Sequence, residues 1–307
     1  MNIVILSART GWHTDELLRA LAKRGHVGCV LPYDGLLARI GGATASAELT
    51  SEGTSILHAD GVLARIIPSG SLEQIIFRVD ALHWIEERGV LVLNSARAIE
   101  RAVDKFYTTA LLREAGLPTP ETVTCERAAD AVAAVQDMGA VVIKPLFGSL
   151  GNGMVRVNDP EVAFRIARSL EHTNAVFYVQ REVDHGGRDI RVFVVGGEVL
   201  GAIERQAPPG DWRTNVARGG TARTFALPQD WAQLALRAAA AVGAEYAGVD
   251  LLPSRRGEVF VLEVNAIPGW QGLQQATGLD VADALVRLLE AKTRTIPARH
   301  ADRGLSA

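Results

Sequence analysis

Apolar and polar positions alternate along the chain in two distinct rhythms. Asn2 to Ser7 is almost wholly apolar, as a strand buried on both faces requires, and Thr14 to Arg24 then carries apolar side chains at helical spacing. Thr14 is the expected N-cap and Gly25 the stop, before a second apolar run from Val27 to Leu31. After a variable stretch, Gly35 to Gly53, a strand is expected at Val62 to Ile67. Ser71-Leu-Glu-Gln74 is a capping box heading a long helix, in which Leu72, Ile75, Ile76, Val79 and Leu82 are expected to form one buried face. A strand at Val90 to Leu93 completes a small parallel α/β domain, residues 1–95.

Beyond residue 95 the order of elements becomes α+β. A helix from Asp104 to Gly116 ends at Leu117-Pro-Thr-Pro120, which cannot continue it. A helix at Arg127 to Asp137 leads to the apolar strand Ala140 to Ile143, which delivers Lys144-Pro145 and the loop Gly148-Ser149-Leu150-Gly151-Asn152-Gly153. Asp159-Pro160 caps a helix to about His172, and Ala175 to Gln180 is the next strand. Antiparallel runs follow at Asp189 to Val195, Glu198 to Arg205 and Ala222 to Phe225, then a helix (Pro228 to Val242), two strands (Glu245 to Leu252, Glu258 to Asn265) and a closing helix (Asp280 to Ala291). The expected organisation is a lid subdomain at 96–180, a C-terminal antiparallel-sheet subdomain at 181–295 and a frayed tail at 296–307.

Composition narrows the function. With 48% hydrophobic residues, 22% charged and a mean hydropathy of +0.12, the chain is globular, not disordered. A net charge of −3 supplies no field for nucleic acid or an anionic membrane. No run of 18 apolar residues occurs, so a cytoplasmic protein is expected. Cys29 and Cys125 form neither a disulfide framework nor a zinc signature, and both are expected to be buried thiols. Only four of the 32 basic residues are lysine. In so arginine-rich a chain a lysine marks a place where a compact ammonium is needed, and Lys105 and Lys144 stand out from Lys23 and Lys292, which lie in polar helical contexts.

Three groups of residues can carry chemistry. The loop Gly148 to Gly153 can bring backbone N–H groups close to an anion, although alone it also fits an ordinary hairpin. Glu263 and Asn265 lie two apart on one strand face, and a two-residue turn at Arg256-Gly257 puts Asp250 opposite Glu263. Two carboxylates and an amide oxygen between apolar neighbours would repel unless a hard cation such as Mg²⁺ joined them, the alternative being a half-exposed sheet. Arg188, Arg191, Arg205, Arg213 and Arg218, with Asn215, form an arginine-rich interval suited to anionic substrates.

The order Asp104-Lys105, Ile143-Lys144-Pro145, glycine loop, Val179-Gln180-Arg181-Glu182, Arg188-Asp189-Ile-Arg191, Asp211-Trp-Arg-Thr-Asn215, Arg218-Gly-Gly220, Ala247-Gly-Val-Asp250 and Leu262-Glu-Val-Asn265-Ala-Ile-Pro-Gly269 resembles the ATP-grasp superfamily and, within it, the RimK-type glutamate ligases. The segment Arg65 to Arg78 looks like the branch that adds glutamate to tetrahydromethanopterin. The resemblance implies that Lys105 and Lys144 hold ATP phosphates, that Gly148, Ser149, Leu150, Gly151, Asn152 and Gly153 close over them, and that the backbone around Arg181 and Glu182 binds adenine, with Gln180 also in the ATP site. Asp189, Arg213 and Asn215 match further nucleotide positions, and Asp250, Glu263 and Asn265 match metal ligands. Arg181-Glu182 departs from the family's usual Glu-aromatic pair, and the segment before Asp189 is one residue shorter.

The expected activity is an ATP-dependent carboxylate–amine ligation through an acyl phosphate, with Mg²⁺ (Mn²⁺ as a substitute) and Lys144, Arg205 and Arg213 as catalytic cations. Arg191, Arg205 and Arg218 are expected to hold substrate carboxylates. The partners expected are L-glutamate and a small-molecule carboxylate such as a pterin C1 carrier, in a homo-oligomer without nucleic acid or membrane. Alternatives are a protein C-terminus, a peptide or a furan-containing carrier as acceptor, or a non-catalytic nucleotide sensor.

Overall fold

The structure is a computed structural model that describes residues 1–41, 47–148, 152–214 and 219–295. The chain divides into two units, Met1–Arg97 with Asp280 onward, and Ala98–Leu279.

The first unit opens with β1 (Asn2–Ser7), α1 (Trp12–Lys23) and β2 (Val27–Pro32). β1 is an inner strand, paired along both edges with β2 and a later strand, and five of its six residues are buried. The variable stretch holds β3 (Leu36–Arg39), β4 (Glu48–Ser51) and β5 (Thr54–Ser55), a small antiparallel sheet. Its strands are too short and polar to stand out in sequence. β6 (Gly61–Ala64), α2 (Leu72–Glu87) and β7 (Leu91–Leu93) complete a parallel sheet of order β2-β1-β6-β7.

The capping box forms: the Ser71 hydroxyl accepts from Gln74 N, and the Gln74 side chain accepts from Ser71 N. The expected buried face of α2 forms only in part, with Leu82 buried and Ile75 and Val79 half-buried. Leu72 is 75% exposed and Ile76 48%, while Arg78, Ala81, Leu82 and Ile85 are the buried positions. Sixteen helical residues span about 24 Å, and β6 and β7, the strands that α2 connects, only about 10–13 Å, so the first turns of α2 outrun them. Cys29 and Cys125 are likewise half-buried rather than enclosed, and burial raises both thiols above the usual range.

The second unit follows through α3 (Ala96–Val103), whose start lies in the first unit, and α4 (Lys105–Glu114), capped by Asp104. A four-stranded antiparallel sheet of order β10-β9-β11-β8 comprises β8 (Thr122–Cys125), β9 (Val141–Pro145), β10 (Val155–Val157) and β11 (Phe177–Arg181). α5 (Ala128–Met138) and α6 (Pro160–Glu171) are joined to one face through Val141, Ile143, Val157, Phe177 and Val179. Alternation then leaves Lys144, Tyr178 and Gln180 on the other face.

The second sheet, β14-β13-β12-β15-β16, is built from β12 (Arg188–Val195), β13 (Glu198–Gln206), β14 (Thr221–Thr224), β15 (Tyr246–Pro253) and β16 (Val259–Asn265). α7 (Gln229–Val242) covers one face through a core that includes Ile190, Val192, Val249, Leu251, Val261 and Val264. The intervening polar positions share the opposite face. α8 (Gln271–Thr277) follows β16.

The closing helix α9 (Val281–Thr295) belongs to the first unit, packed on α1. Arg24 donates to both Glu290 oxygens at 3.0 and 2.7 Å, and His26 Nε2 lies 2.8 Å from Glu290. The Arg24 hydrogen bonds foremost, with His26 behind them, hold this carboxyl down to about 2 against an ordinary 4.5. A depressed carboxyl stabilises fully above its unfolded value and loses that contribution as pH falls toward the folded one. Glu290→Gln is therefore expected to flatten the loss of stability between pH 4.5 and 2, read from denaturant midpoints of the two proteins; parallel curves would refute it.

Candidate active site

Lys105 is the first residue of α4, and its ammonium donates to the Leu146 and Gly148 carbonyls at 3.2 and 3.0 Å. It thus grips the exit of β9 where the glycine-rich loop begins. Gly153 closes that loop at φ 72°, with a Cβ position only 2.8 Å from Pro145 Cγ, so a side chain there meets strain and a clash.

Lys144, on β9, is 8% exposed and donates to Gln180 Oε1 at 2.6 Å. Burial lowers its ammonium to about 8, with Glu263 and Asp250 opposing that fall and Lys105 adding to it. Lys105 is lowered in the same way, chiefly by burial, and Glu263 opposes the shift. α4 packs directly on β16, which carries Glu263. Both lysines and Glu263 therefore share one electrostatic environment.

Asp250 pairs with Glu263 across β15 and β16, and Gly248 with Asn265, as the sequence argument expects. The route differs. Ser254 N donates to Glu258 O, the pairs from Leu251–Val261 to Pro253–Val259 run one residue out of that register, and an irregularity after Asp250 restores it.

The electrostatic argument for a cation needs correction as well. Arg191 grips Asp250 through Nε to Oδ1 and Nη2 to Oδ2, the latter at 2.8 Å, and Arg205 Nη2 lies 2.9 Å from Asp250 Oδ2. Asp250 is thus already neutralised, and the two guanidiniums hold it below the ordinary carboxylate range despite burial. Asn265 Oδ1 accepts from Ile267 N at 2.9 Å. Glu263, whose charge reaches both lysines, makes no direct ion pair or hydrogen bond among the described residues. The set Asp250, Glu263 and Asn265 presents oxygen donors alone on one sheet face, which suits a hard cation, with Glu263 its uncommitted anion.

The arginines are not open forks. Arg205 is buried and points inward as expected, but its Nε and Nη2 meet Asp189 at 2.7 and 2.6 Å, and Thr214 Oγ1 donates to the same carboxylate at 2.5 Å. Asp189, Arg205 and Asp250, all buried, and the half-buried Arg191 form one chain of alternating charge across β12, β13 and β15. Arg213 is paired with Asp211, and Arg188 and Arg223 clamp Glu204. Arg205→Ala is expected to lower unfolding free energy by about 3–5 kcal/mol, because two buried carboxylates lose a partner. A urea titration matching wild type would overturn this reading of Arg205 as a structural cation.

At the end of β11, Arg181 N donates to Glu121 O and Glu182 N to Ala140 O, so neither N–H is open to adenine. Glu182 pairs with Arg156 at 3.0 Å, and the Arg156 guanidinium lies 4.8 Å from the centre of the Trp212 ring. These residues with Asp184 and His185 line a cleft of about 530 Å³. Ser149, Leu150, Gly151, Asn215 and Arg218 lie outside the described residues; Asn152 lies within them. Tyr178, Thr122 and Thr109, which interact with Gln180 or with each other, escaped the sequence argument. For Thr122 and Tyr178 the signal was present as polar positions on β8 and β11, whereas Thr109 lies on α4.

Two antiparallel sheets, one carrying Lys144 and the other Asp250, Glu263 and Asn265, with Lys105 on a helix packed against the second, are the arrangement of an ATP-grasp ligase. The description RimK-like ATP-grasp domain matches residues 102–289, and RimK PreATP-grasp domain matches residues 1–99. The chain belongs to this RimK-like ATP-grasp family and is an ATP-dependent ligase. It is 32% identical to the tetrahydromethanopterin:alpha-L-glutamate ligase of Methanosarcina acetivorans, over 91% of this chain and 95% of that one. It is 35% identical to the ribosomal protein bS6–L-glutamate ligase of Escherichia fergusonii, over 94% and 96%. Among solved structures, the ATP-grasp ligase PsnB complexed with a precursor variant, Mg and ADP superposes with a TM-score of 0.75 at 22% identity, covering 95% of this chain and 98% of that one. Among the described residues no helix is long and apolar enough to cross a membrane.

Proposed function

We propose that this protein uses ATP to join the amine of L-glutamate to a small-molecule carboxylate, a pterin C1 carrier being the leading candidate. The observation that carries the reading is the placing of three charges: Lys144 buried and fixed by Gln180, Lys105 half-buried on α4, which packs on β16, and Glu263 on β16 with no direct partner among the described residues. Lys105 and Lys144 would draw phosphate oxygens between them, and the cleft beside Glu182 and Trp212 would take the adenosine end. Because the Arg181 and Glu182 N–H groups are engaged, adenine would be read by carbonyls and the residues that follow.

Asp250, Glu263 and Asn265 would hold Mg²⁺, which would supply charge neutralisation to the phosphates. Transfer of the γ-phosphoryl group to the acceptor carboxylate gives an acyl phosphate, and the glutamate amine displaces phosphate from it. The chain's own contribution is position and charge, with Lys144 fixed by Gln180 and Lys105 by the loop carbonyls. With Arg205 and Arg191 committed to carboxylates, the amino acid's carboxylates would have to share or displace those pairs.

The relative that acts on ribosomal protein bS6 favours a second reading, a protein acceptor. One experiment separates them: purified protein with ATP, Mg²⁺ and ¹³C-labelled L-glutamate is given pterin carriers, short acidic peptides or neither, and ADP release is compared with labelled product by mass spectrometry. One glutamyl residue gained per ADP on a pterin supports the proposal. Labelled peptide alone would replace it with the second reading, and no labelled product from any acceptor would overturn glutamate ligation.

A further inference from the structure

The ammonium of Lys144 is held by a hydrogen-bond chain whose direction is chemically determined. The Thr122 hydroxyl donates its one hydrogen to the Pro120 carbonyl at 2.9 Å, so toward Gln180 it can only accept. Gln180 Nε2 therefore faces Thr122, at 3.0 Å, and sends its second hydrogen to the Tyr178 hydroxyl, also at 3.0 Å. That leaves Gln180 Oε1 aimed at Lys144 Nζ, 2.6 Å away. Rotating the amide by half a turn would set two donors against an ammonium. Gln180 is 2% exposed and Tyr178 1%, so water does not substitute for these partners.

The chain also reaches the other lysine. Tyr178 OH lies 2.7 Å from Thr109 Oγ1, and Thr109 sits one turn after Lys105 on α4. The Lys105 and Lys144 charges repel, and Gln180 and Tyr178 connect the elements that carry them. Both amide hydrogens of Gln180 are spent, so its side chain has no donor left for a nucleotide.

We infer that Gln180 and Tyr178 are positioning residues, which hold Lys144 with two of its three N–H bonds directed away from Gln180 and fix it relative to α4. The phosphate role of those N–H bonds rests on the ligase reading above, but the network does not.

The test uses the full chain with ¹⁵N-labelled lysine. Four lysines give at most four ammonium signals, assigned by single Lys→Arg replacements. The Lys144 signal should be slow to exchange with solvent without any nucleotide. Gln180→Leu, of similar size, should speed that exchange by about 10-fold or more, as expected for loss of a hydrogen bond to a charged group. Tyr178→Phe should have a smaller effect in the same direction, and Gln180→Glu should keep exchange slow, since a carboxylate accepts at the same place.

ATP turnover should fall by about 10- to 100-fold in Gln180→Leu, with partial recovery in Gln180→Glu and little change in the amino-acid KM. Should Gln180→Leu fail to fold, Tyr178→Phe and Thr109→Val carry the same comparison. An unchanged Lys144 signal in the folded variants overturns the network. A faster-exchanging signal with unchanged turnover keeps the network and overturns instead the assignment of Lys144 to phosphate.

Discussion

Glu263→Gln is expected to leave the fold intact and lower ATP-dependent turnover by about 10²- to 10³-fold, the range seen when one preorganised charge or donor is lost from an active site. The substitution is nearly isosteric, and no hydrogen bond or ion pair links Glu263 to another described residue, so little structure depends on its charge. What it removes is the anion that both Lys105 and Lys144 sense and the uncommitted carboxylate of the oxygen-donor set. Asp250 cannot replace it, because Arg191 and Arg205 already neutralise that carboxylate. The check is kcat beside a melting curve and a Mg²⁺ titration. Near-normal turnover in a folded protein would remove Glu263 from the site, and a collapsed melting temperature would mean that its role is structural.

Lys144→Arg should be nearly as damaging, about 10²-fold in turnover, although the charge is kept. Lys144 is enclosed and meets Gln180 Oε1 at 2.6 Å with its compact head. A planar guanidinium is wider and spreads its donors in a fork, so it must either push Gln180 away from Thr122 and Tyr178 or withdraw from the phosphate position. Turnover and ATP KM measured at saturating amino acid decide the point. Normal kinetics for the arginine variant would show that a point charge is not what this site requires.

The arginine-rich interval shows what a sequence leaves open about a cation's partners. Read along the chain, Arg191, Arg205 and Arg213 are free cations awaiting a substrate, because sequence does not show which carboxylate lies across a strand. In the fold Arg191 and Arg205 meet Asp250 and Asp189 across strands, while Arg213 meets Asp211 two residues before it. Cross-strand pairing between β12, β13 and β15 brings together residues 16 and 59 positions apart, and no local periodicity encodes that.

What the sequence by itself determined is everything set by short-range chemistry. The β-α-β opening, the Ser71 capping box, the Asp104 and Asp159 caps and the alternation that puts Lys144 on one face and Val141 and Ile143 on the other all follow from neighbouring residues. So does the pairing of Asp250 with Glu263, although the expected turn differs and an irregularity restores the register. Tertiary structure decided the matters that depend on distant partners. It exposes the first turns of α2 because the strands beneath are shorter than the helix, and it assigns α9 to the first unit through Arg24 and Glu290. It also joins Thr109, Thr122, Tyr178 and Gln180 behind Lys144. Burial and long-range hydrogen bonding set these outcomes, since an amide, a hydroxyl or a guanidinium has no preferred partner until the fold removes water and leaves one within reach.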